Sequence, residues 1–235
     1  MNLLAVETAT GCLSVAVLAG AVVSARSDRD AAGHHARYLV PAVDEVLKAA
    51  GCEFSDLQAL AVSIGPGSFT GLRVGLATMM GFRMVTGLPL AAVPTLDAMA
   101  WNLRGSKHVL CPVLKSRTGE VYWAFYRWQE TELLRIGEEQ VGPLEKLARA
   151  IAQPTVIYGE GWHANRDGLL RLCNALQAPI EEGPAEAMPA SAVSVGLAGA
   201  EKIRNNDIAG YGIAPRYVQR AEAEIVMDRR LAGAQ

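Results

Sequence analysis

The sequence predicts a mixed α/β protein built from two halves of the same kind. Short apolar runs with the length of strands alternate with longer segments in which apolar residues recur at helical spacing. This alternation occurs before and after a polar stretch at residues 104–108, with no repeat of the sequence itself. With 235 residues, of which 51% are hydrophobic, the chain is long enough for a substantial core. We therefore assign an N-terminal half to residues 1–104, a C-terminal half to 105–220 and a polar tail to 221–235.

Three short strands open the N-terminal half, and tight turns between them favour antiparallel pairing. The predicted strands are residues 3–6, 13–18 and 21–25. Residues 28–33 are predicted as a polar loop, and the period then becomes helical over residues 35–50. Pro41 lies inside this helical pattern, so the helix either bends there or begins close to it.

The rest of the N-terminal half alternates strand and helix. We predict strands at 60–64 and 90–93 and helices at 70–86 and 96–103. Ser68 or Thr70 is the expected N-cap of the first of these helices.

The C-terminal half begins again with strands. Strands are predicted at 109–114, 121–128 and 155–158, and helices at 144–151, 167–176 and 192–203. A connection rich in proline and glutamate follows Trp128, and residues 182–189 are predicted as an exposed connector.

Composition excludes several classes of protein. The formal net charge is -2, so the chain has no general attraction to nucleic acid. The four cysteines form no CxxC pair, which favours reduced thiols over a disulfide framework or a zinc site. We expect no signal peptide, because a basic start is missing, and no membrane span, because no apolar run approaches about 20 residues. The expected location is the cytoplasm.

A glycine-rich loop at residues 65–75 joins a predicted strand to a helix N-terminus, where free N–H groups favour an anion. Gly65, Gly67 and Ser68 are its candidate phosphate-facing residues. The loop lacks the Lys-Ser/Thr pair of a P-loop. Gly71 and Gly75 lie four residues apart on one helix face, which permits close approach of a neighbouring backbone. Phosphate binding and a tight turn with close packing both remain open.

Polar residues after the first strand form a second candidate. Glu7, Thr8 and Thr10, with Ser14, could hold a metal–phosphate complex through a carboxylate and hydroxyls. The alternative is that the threonines close a hairpin turn and that Glu7 is solvated.

Histidines and aromatic residues offer weaker signals. His34 and His35 are adjacent and therefore point in different directions, so they do not suit one metal ion. The sequence contains no HxxxH, HExxH or GxSxG pattern, and we assign no catalytic residue and no metal ligand. Aromatic residues alternate along residues 122–128. Stacking on RNA bases is one interpretation, and a strand buried on both sides is the one we favour.

Several motifs resemble those of the TsaB (YeaZ) family. They are the opening at residues 3–16, the histidine-led helix running into Pro41, and above all the loop at residues 65–75. Weaker similarity extends to residues 119–122, 158–161 and 215–218.

The resemblance implies the actin-like ATPase fold, with two RNase H-like halves. It also implies a non-catalytic subunit of the complex that makes threonylcarbamoyladenosine at tRNA position 37. The implied partners are a TsaD-type catalytic subunit and a TsaE-type ATPase, with a homodimer when the chain is alone and tRNA contacted mainly through the complex. No cofactor is implied for this chain itself, and a nucleotide at the interface of the complex stays open.

This sequence differs from the pattern of the family, or of its catalytic relatives, at three places that affect the metal and nucleotide binding expected of it. The HxxxH metal motif of the catalytic relatives would fall in residues 93–100, where no histidine occurs, so the resemblance implies loss of that metal. Glu7 stands where aspartate is usual, which disfavours tight binding of a magnesium nucleotide. Lys115 replaces an aspartate before the motif at residues 119–122.

The family's dimer contact implies a partner-binding surface on the helices at 35–50 and 70–86. The second helix is apolar nearly all round, so one side is available for a partner after the other covers the sheet. The residues assigned to this surface are Leu39, Val43, Val46, Leu47, Gly71, Val74, Ala77, Met80 and Met84.

Three other functions stay open from the sequence. The glycine-rich loop and Glu7 are compatible with a small-molecule phosphotransferase of the same fold. A metallopeptidase is disfavoured by the lack of ligand spacing. A plain structural homodimer would need only the apolar helix.

Overall fold

The computed structural model describes residues 1–218, and its strands form two sheets of five. The first sheet contains β1 (Asn2–Glu7), β2 (Cys12–Ala19), β3 (Val22–Asp30), β4 (Ala59–Ser63) and β5 (Leu90–Val93). Their order is β3-β2-β1-β4-β5. Strands β1, β2 and β3 pair antiparallel, while β1, β4 and β5 pair parallel, as expected for a hairpin meander followed by helical crossovers.

The second sheet repeats this arrangement. It contains β6 (Val109–Lys115), β7 (Glu120–Gln129), β8 (Glu132–Pro143), β9 (Thr155–Tyr158) and β10 (Ile180–Glu182). Their order, β8-β7-β6-β9-β10, has the same succession of two antiparallel and two parallel pairs. The two predicted halves thus share one topology although their sequences do not repeat.

Helices cover both faces of the first sheet. The helices are α1 (His35–Ala49), α2 (Phe69–Thr86), α3 (Thr95–Ala100), α4 (Leu144–Ala150), α5 (Glu160–Ala175) and α6 (Ala192–Arg204). α1 and α2 pack on one face, and α6 packs on the other although it comes from the second half of the chain. Gly199 permits this contact, because a Cβ atom there would lie 2.5 Å from the Cβ atom of Ala61. The two halves therefore share a core along α6.

Four local predictions differ from the structure. β3 continues through the predicted loop to Asp30, because an edge strand paired only with β2 tolerates polar residues. The connection after Trp128 is largely β8. The predicted exposed connector at 182–189 begins on the last residue of β10 and contains the buried residues Gly183 and Ala187. The helix predicted at 167–176 begins earlier, at Glu160. For Pro41, the structure excludes the alternative in which the helix begins close to this residue, because α1 begins at His35 and continues through Pro41.

Two further predictions concern the polar C-terminal tail and the absence of a membrane span. The predicted tail at 221–235 lies outside the described residues. Among residues 1–218, no helix has both the length and the apolar character needed to cross a membrane.

Candidate functional site

The loop between β4 and α2 packs against the turn that follows β1. The Ser68 N–H donates a hydrogen bond of 2.6 Å to the Ala9 carbonyl oxygen. A Cβ atom on Gly67 would lie 2.3 Å from that oxygen, and one on Gly65 would lie 2.6 Å from the Arg216 carbonyl oxygen. The Ser68 N–H, which a phosphate would need at this loop, is therefore already bonded within the protein.

The first turn of α2 is closed in the same way. Ser68 is the N-cap, as predicted, and its hydroxyl accepts a hydrogen bond of 3.2 Å from the Gly71 N–H. A Cβ atom on Gly71 would lie 2.0 Å from the Thr8 carbonyl oxygen, and one on Gly75 would lie 2.2 Å from the Thr8 hydroxyl oxygen. The glycine face of α2 thus lets the end of β1 approach closely. This geometry favours the packed turn over phosphate binding.

Glu7, at the end of β1, is fully buried, so the expectation of a solvated side chain is wrong. Its Oε1 atom accepts a hydrogen bond from the Ala9 N–H, while Oε2 has no hydrogen-bond partner among the described residues. Burial raises the pKa of Glu7 to about 7, against the effect of bonds from Ala9 and Ser63. A carboxyl that is fully buried, with Oε1 already accepting from the Ala9 N–H, does not present its oxygens to a magnesium nucleotide.

The other polar residues of this region also have partners inside the protein. The Thr10 hydroxyl accepts a hydrogen bond of 3.2 Å from the Cys12 N–H and so closes the turn before β2. The Ser14 hydroxyl donates to Asp28 at 2.5 Å and accepts from the Ala192 N–H at 2.8 Å. Ser14 therefore ties β2 to β3 and to the start of α6, a structural role that only the tertiary fold reveals.

Glu160, which begins α5 in the second half, is close enough for its negative charge to act on Glu7. Burial raises the pKa of Glu160, while Lys115 opposes the shift through its charge and its backbone N–H. The lysine that departs from the family pattern thus serves as a partner for this carboxylate.

The stretch at residues 93–100, where the metal motif of the catalytic relatives would fall, contains no histidine. Asp97 lies in the stretch at 93–100 and accepts a hydrogen bond of 2.7 Å from the Tyr126 hydroxyl. Within residues 1–218, no three side chains of His, Cys, Asp or Glu are arranged to hold an ion. The residues present do not fit that metal.

The residues assigned to the partner-binding surface divide into two sets. Leu39, Val43, Val46 and Leu47 of α1 and Gly71 of α2 are buried within the chain. Val74 and Met80 are half-buried, while Ala77 and Met84 are exposed. The half-buried and exposed residues can contact a partner directly, whereas the buried residues pack beneath the surface of the two helices.

Two further exposed residues of this surface could not be assigned from the sequence. Val85 is 88% exposed beside Met84 at 75%, and Val40 of α1 is 53% exposed. A hollow of about 450 Å³ lies between the two helices near Val40 and is lined by Leu47, Phe54 and other residues. Val85 is one of many apolar residues of α2, and a helix apolar all round does not show which face the sheet will cover.

The aromatic strand follows the interpretation that we favoured. Trp123, Tyr126 and Trp128 of β7 are buried, and Tyr122 and Phe125 are half-buried. A base could not stack on the buried rings without opening the core.

Comparison with protein families gives a match along most of the chain. A family model described as "TsaD: tRNA N6-adenosine threonylcarbamoyltransferase" matches residues 27–227. The chain is 34% identical to the tRNA threonylcarbamoyladenosine biosynthesis protein TsaB of Escherichia coli over 172 residues, which are 70% of this chain and 73% of that protein. It is 29% identical to TsaB of Bacillus subtilis over 140 residues, 60% of this chain and 61% of that protein.

Solved structures give the same assignment. YeaZ from Pseudomonas aeruginosa superposes with a TM-score of 0.76 at 26% identity, covering 92% of this chain and 99% of that one. The ROK hexokinase of Thermus thermophilus, with a TM-score of 0.53 at 13% identity over 87% of this chain and 100% of that one, shows the shared actin-like fold alone. By sequence and by structure, the chain belongs to the TsaB (YeaZ) family.

Proposed function

We propose that this chain is a non-catalytic subunit in the biosynthesis of threonylcarbamoyladenosine in tRNA and that it binds a TsaD-type catalytic subunit through α1 and α2. The observation that carries the proposal is the exposed apolar side of α2, where Met84 and Val85 are 75% and 88% exposed. Neighbouring large side chains exposed to this degree at the surface of a folded protein favour contact with another chain.

The shape of this side suits another helix. Ala77 and Gly81 are small and exposed, and they lie between Arg73 near one end of α2 and the Met84–Val85 pair near the other. Small residues in the middle of a helix face allow a partner helix to approach closely, while the larger side chains on either side fill its grooves. A second copy of this chain could use the same side in antiparallel fashion. We therefore propose that a homodimer and the heterodimer exclude each other.

The chemistry of the interior supports a non-catalytic role. The carboxyl of Glu7 is buried and the loop at residues 65–68 is closed by contacts to Ala9. The described residues also contain no metal-ligand set. In this proposal the catalytic groups come from the TsaD-type partner, a TsaE-type ATPase joins the pair, and tRNA is contacted mainly through the complex. The proposed location is the cytoplasm.

Reconstitution tests the role of the chain. Modified adenosine would be quantified with TsaD- and TsaE-type partners, threonylcarbamoyl-adenylate and unmodified tRNA, with and without this chain. We expect product only when the chain is present together with the TsaD-type subunit, and none from the chain alone. Equal product without the chain would refute the proposed role.

A charge on α2 tests the surface. Met84→Glu should weaken binding to the TsaD-type subunit at least roughly tenfold, because the carboxylate would be desolvated in the interface. Val22→Glu is the matched control, since Val22 is 68% exposed on the edge strand β3. Titration of the labelled partner measures both variants. Equal affinities for the two variants and the parent would show that the interface lies elsewhere.

A further inference from the structure

The last described segment of the chain returns along α2. The Ala209 N–H donates to the Leu90 carbonyl oxygen at 2.9 Å. The guanidinium of Arg83, a buried residue near the end of α2, donates to the Ala209 carbonyl oxygen at 2.6 Å and lies 4.2 Å from the ring centre of Tyr211. We call residues 209–217 the strap, which these contacts fasten to the C-terminal end of α2.

The other end of the strap is fastened where α2 begins. The Tyr217 ring stacks on Phe69 with 5.2 Å between ring centres. Arg73 donates from Nε to the Tyr217 hydroxyl at 3.1 Å, and its guanidinium lies 3.7 Å from the Phe69 ring centre. The strap therefore follows the length of the helix that carries the proposed partner-binding side.

One residue of the strap contacts both halves of the protein. The Arg216 N–H donates to the Ile64 carbonyl oxygen at 2.6 Å, just beyond β4 in the first sheet. The Arg216 side chain places Nε 3.0 Å from Oε2 of Glu139, which belongs to β8 in the second sheet. A shift of β8 relative to the first sheet would thus act on the strap through Arg216.

Glu139 is directed inward by an irregularity of β8. The pairing of β7 and β8 shifts register between Trp123 and Phe125, and Gly137 adopts a φ of 77° in this bulge. The Glu139 side chain is only 2% exposed. Arg135 provides a second cation at 3.4 Å. A carboxylate buried to this extent is stable in its charged form only beside cations, so Glu139 and Arg216 hold each other in place.

From these contacts we propose that the Glu139–Arg216 ion pair is a positioning clamp that orders the strap and, through it, the exposed side of α2. The consequence for partner binding rests on the proposed function, whereas the ordering of the strap does not. Neither residue touches the partner in this proposal. They act through Arg73, Arg83 and Phe69, the residues of α2 that the strap contacts.

Hydrogen exchange on the full chain tests the clamp. Arg216→Gln and Glu139→Gln should raise the exchange rates of the Ala209 amide and of the amide at position 216, which donate to Leu90 and Ile64, by roughly tenfold, with smaller changes in the two sheets. Glu138→Gln is the matched control, since Glu138 is exposed in the same bulge. Arg216→Gln alone decides the matter if Glu139→Gln fails to fold, because Arg216 is 40% exposed and Arg135, 3.4 Å from Oε1 of Glu139, remains as a cation beside the buried carboxylate. Unchanged strap amides in Arg216→Gln would overturn the proposal, as would an equal rise throughout the chain.

Partner affinity tests the second step. Both clamp variants should weaken binding to the TsaD-type subunit by roughly fivefold, while Glu138→Gln leaves it unchanged. Faster strap exchange with unaltered affinity would overturn the link from strap to α2. If Met84→Glu also leaves the affinity unaltered, the proposed partner surface is wrong. The hydrogen-exchange result then still decides whether the Glu139–Arg216 ion pair orders the strap.

Discussion

Replacing Gly71 with alanine tests the packing between α2 and the end of β1. Alanine within a helix is favoured over glycine by at most about 1 kcal/mol. At this position the new Cβ atom would lie 2.0 Å from the Thr8 carbonyl oxygen, where ordinary contact needs about 3.5 Å. The neighbour is backbone and cannot rotate away, so the overlap should cost about 3 kcal/mol. We expect Gly71→Ala to lower the free energy of unfolding by about 2 kcal/mol.

The same helix provides the control. A Cβ atom added at Gly81 would have no neighbouring atom within 4 Å, so Gly81→Ala should raise the free energy of unfolding by about 0.5–1 kcal/mol. Urea unfolding of both variants and the parent, at one low protein concentration, measures the difference through the midpoint at constant slope. Shifts of the two variants in the same direction would refute the argument that β1 approaches α2 closely.

Two further predictions concern the same region. Glu7→Gln should flatten the dependence of stability on pH. The folded-state pKa of Glu7, about 7, lies above the ordinary 4.5, so this carboxyl lowers the stability of the parent as pH rises through that window, and the variant lacks its contribution. Urea unfolding between pH 4 and 8 should show a difference growing in favour of the variant to on the order of 3 kcal/mol, and parallel curves would contradict the burial argument. Ser68→Ala should lower the free energy of unfolding by about 1 kcal/mol through loss of the bond from the Gly71 N–H, with Thr70→Ala as the control that should change less.

Periodicity predicted β1, β2, β4 and β5 of the first sheet and the helices α1 and α2 on one of its faces well, because each of those elements has a local apolar pattern. β8 was not predicted, and the reason is local. Its first eight residues, Glu132 to Glu139, are mostly exposed, and Gly137 interrupts the alternation of apolar and polar side chains that marks a strand. What makes this segment a strand is the long antiparallel pairing with β7. Such pairing comes from tertiary contacts and has no signature in the segment itself.

The candidate site was harder to predict than the fold. The sequence indicated correctly that Gly71 and Gly75 permit close approach, but not which backbone would approach. Burial of Glu7 also has no local signal, since a glutamate at the end of a strand is ordinarily solvated. The burial depends on α2 and on the second half of the protein, which are distant in sequence. For the same reason, the exposed position of Val40 followed only from the packing of α1.

A glycine-rich loop before a helix supports two different structures, and the group that reaches its N–H donors decides between them. In a phosphate site these donors stay free until the ligand arrives. Here the Ala9 carbonyl oxygen accepts from Ser68, and the Thr8 backbone fills the space beside Gly71. The contacts that close this site also fix the N-terminal end of α2 against β1. Under the proposed function, the loop binds no ligand and instead holds α2 rigidly against β1. The side of α2 that faces away from β1 is the side that binds the partner.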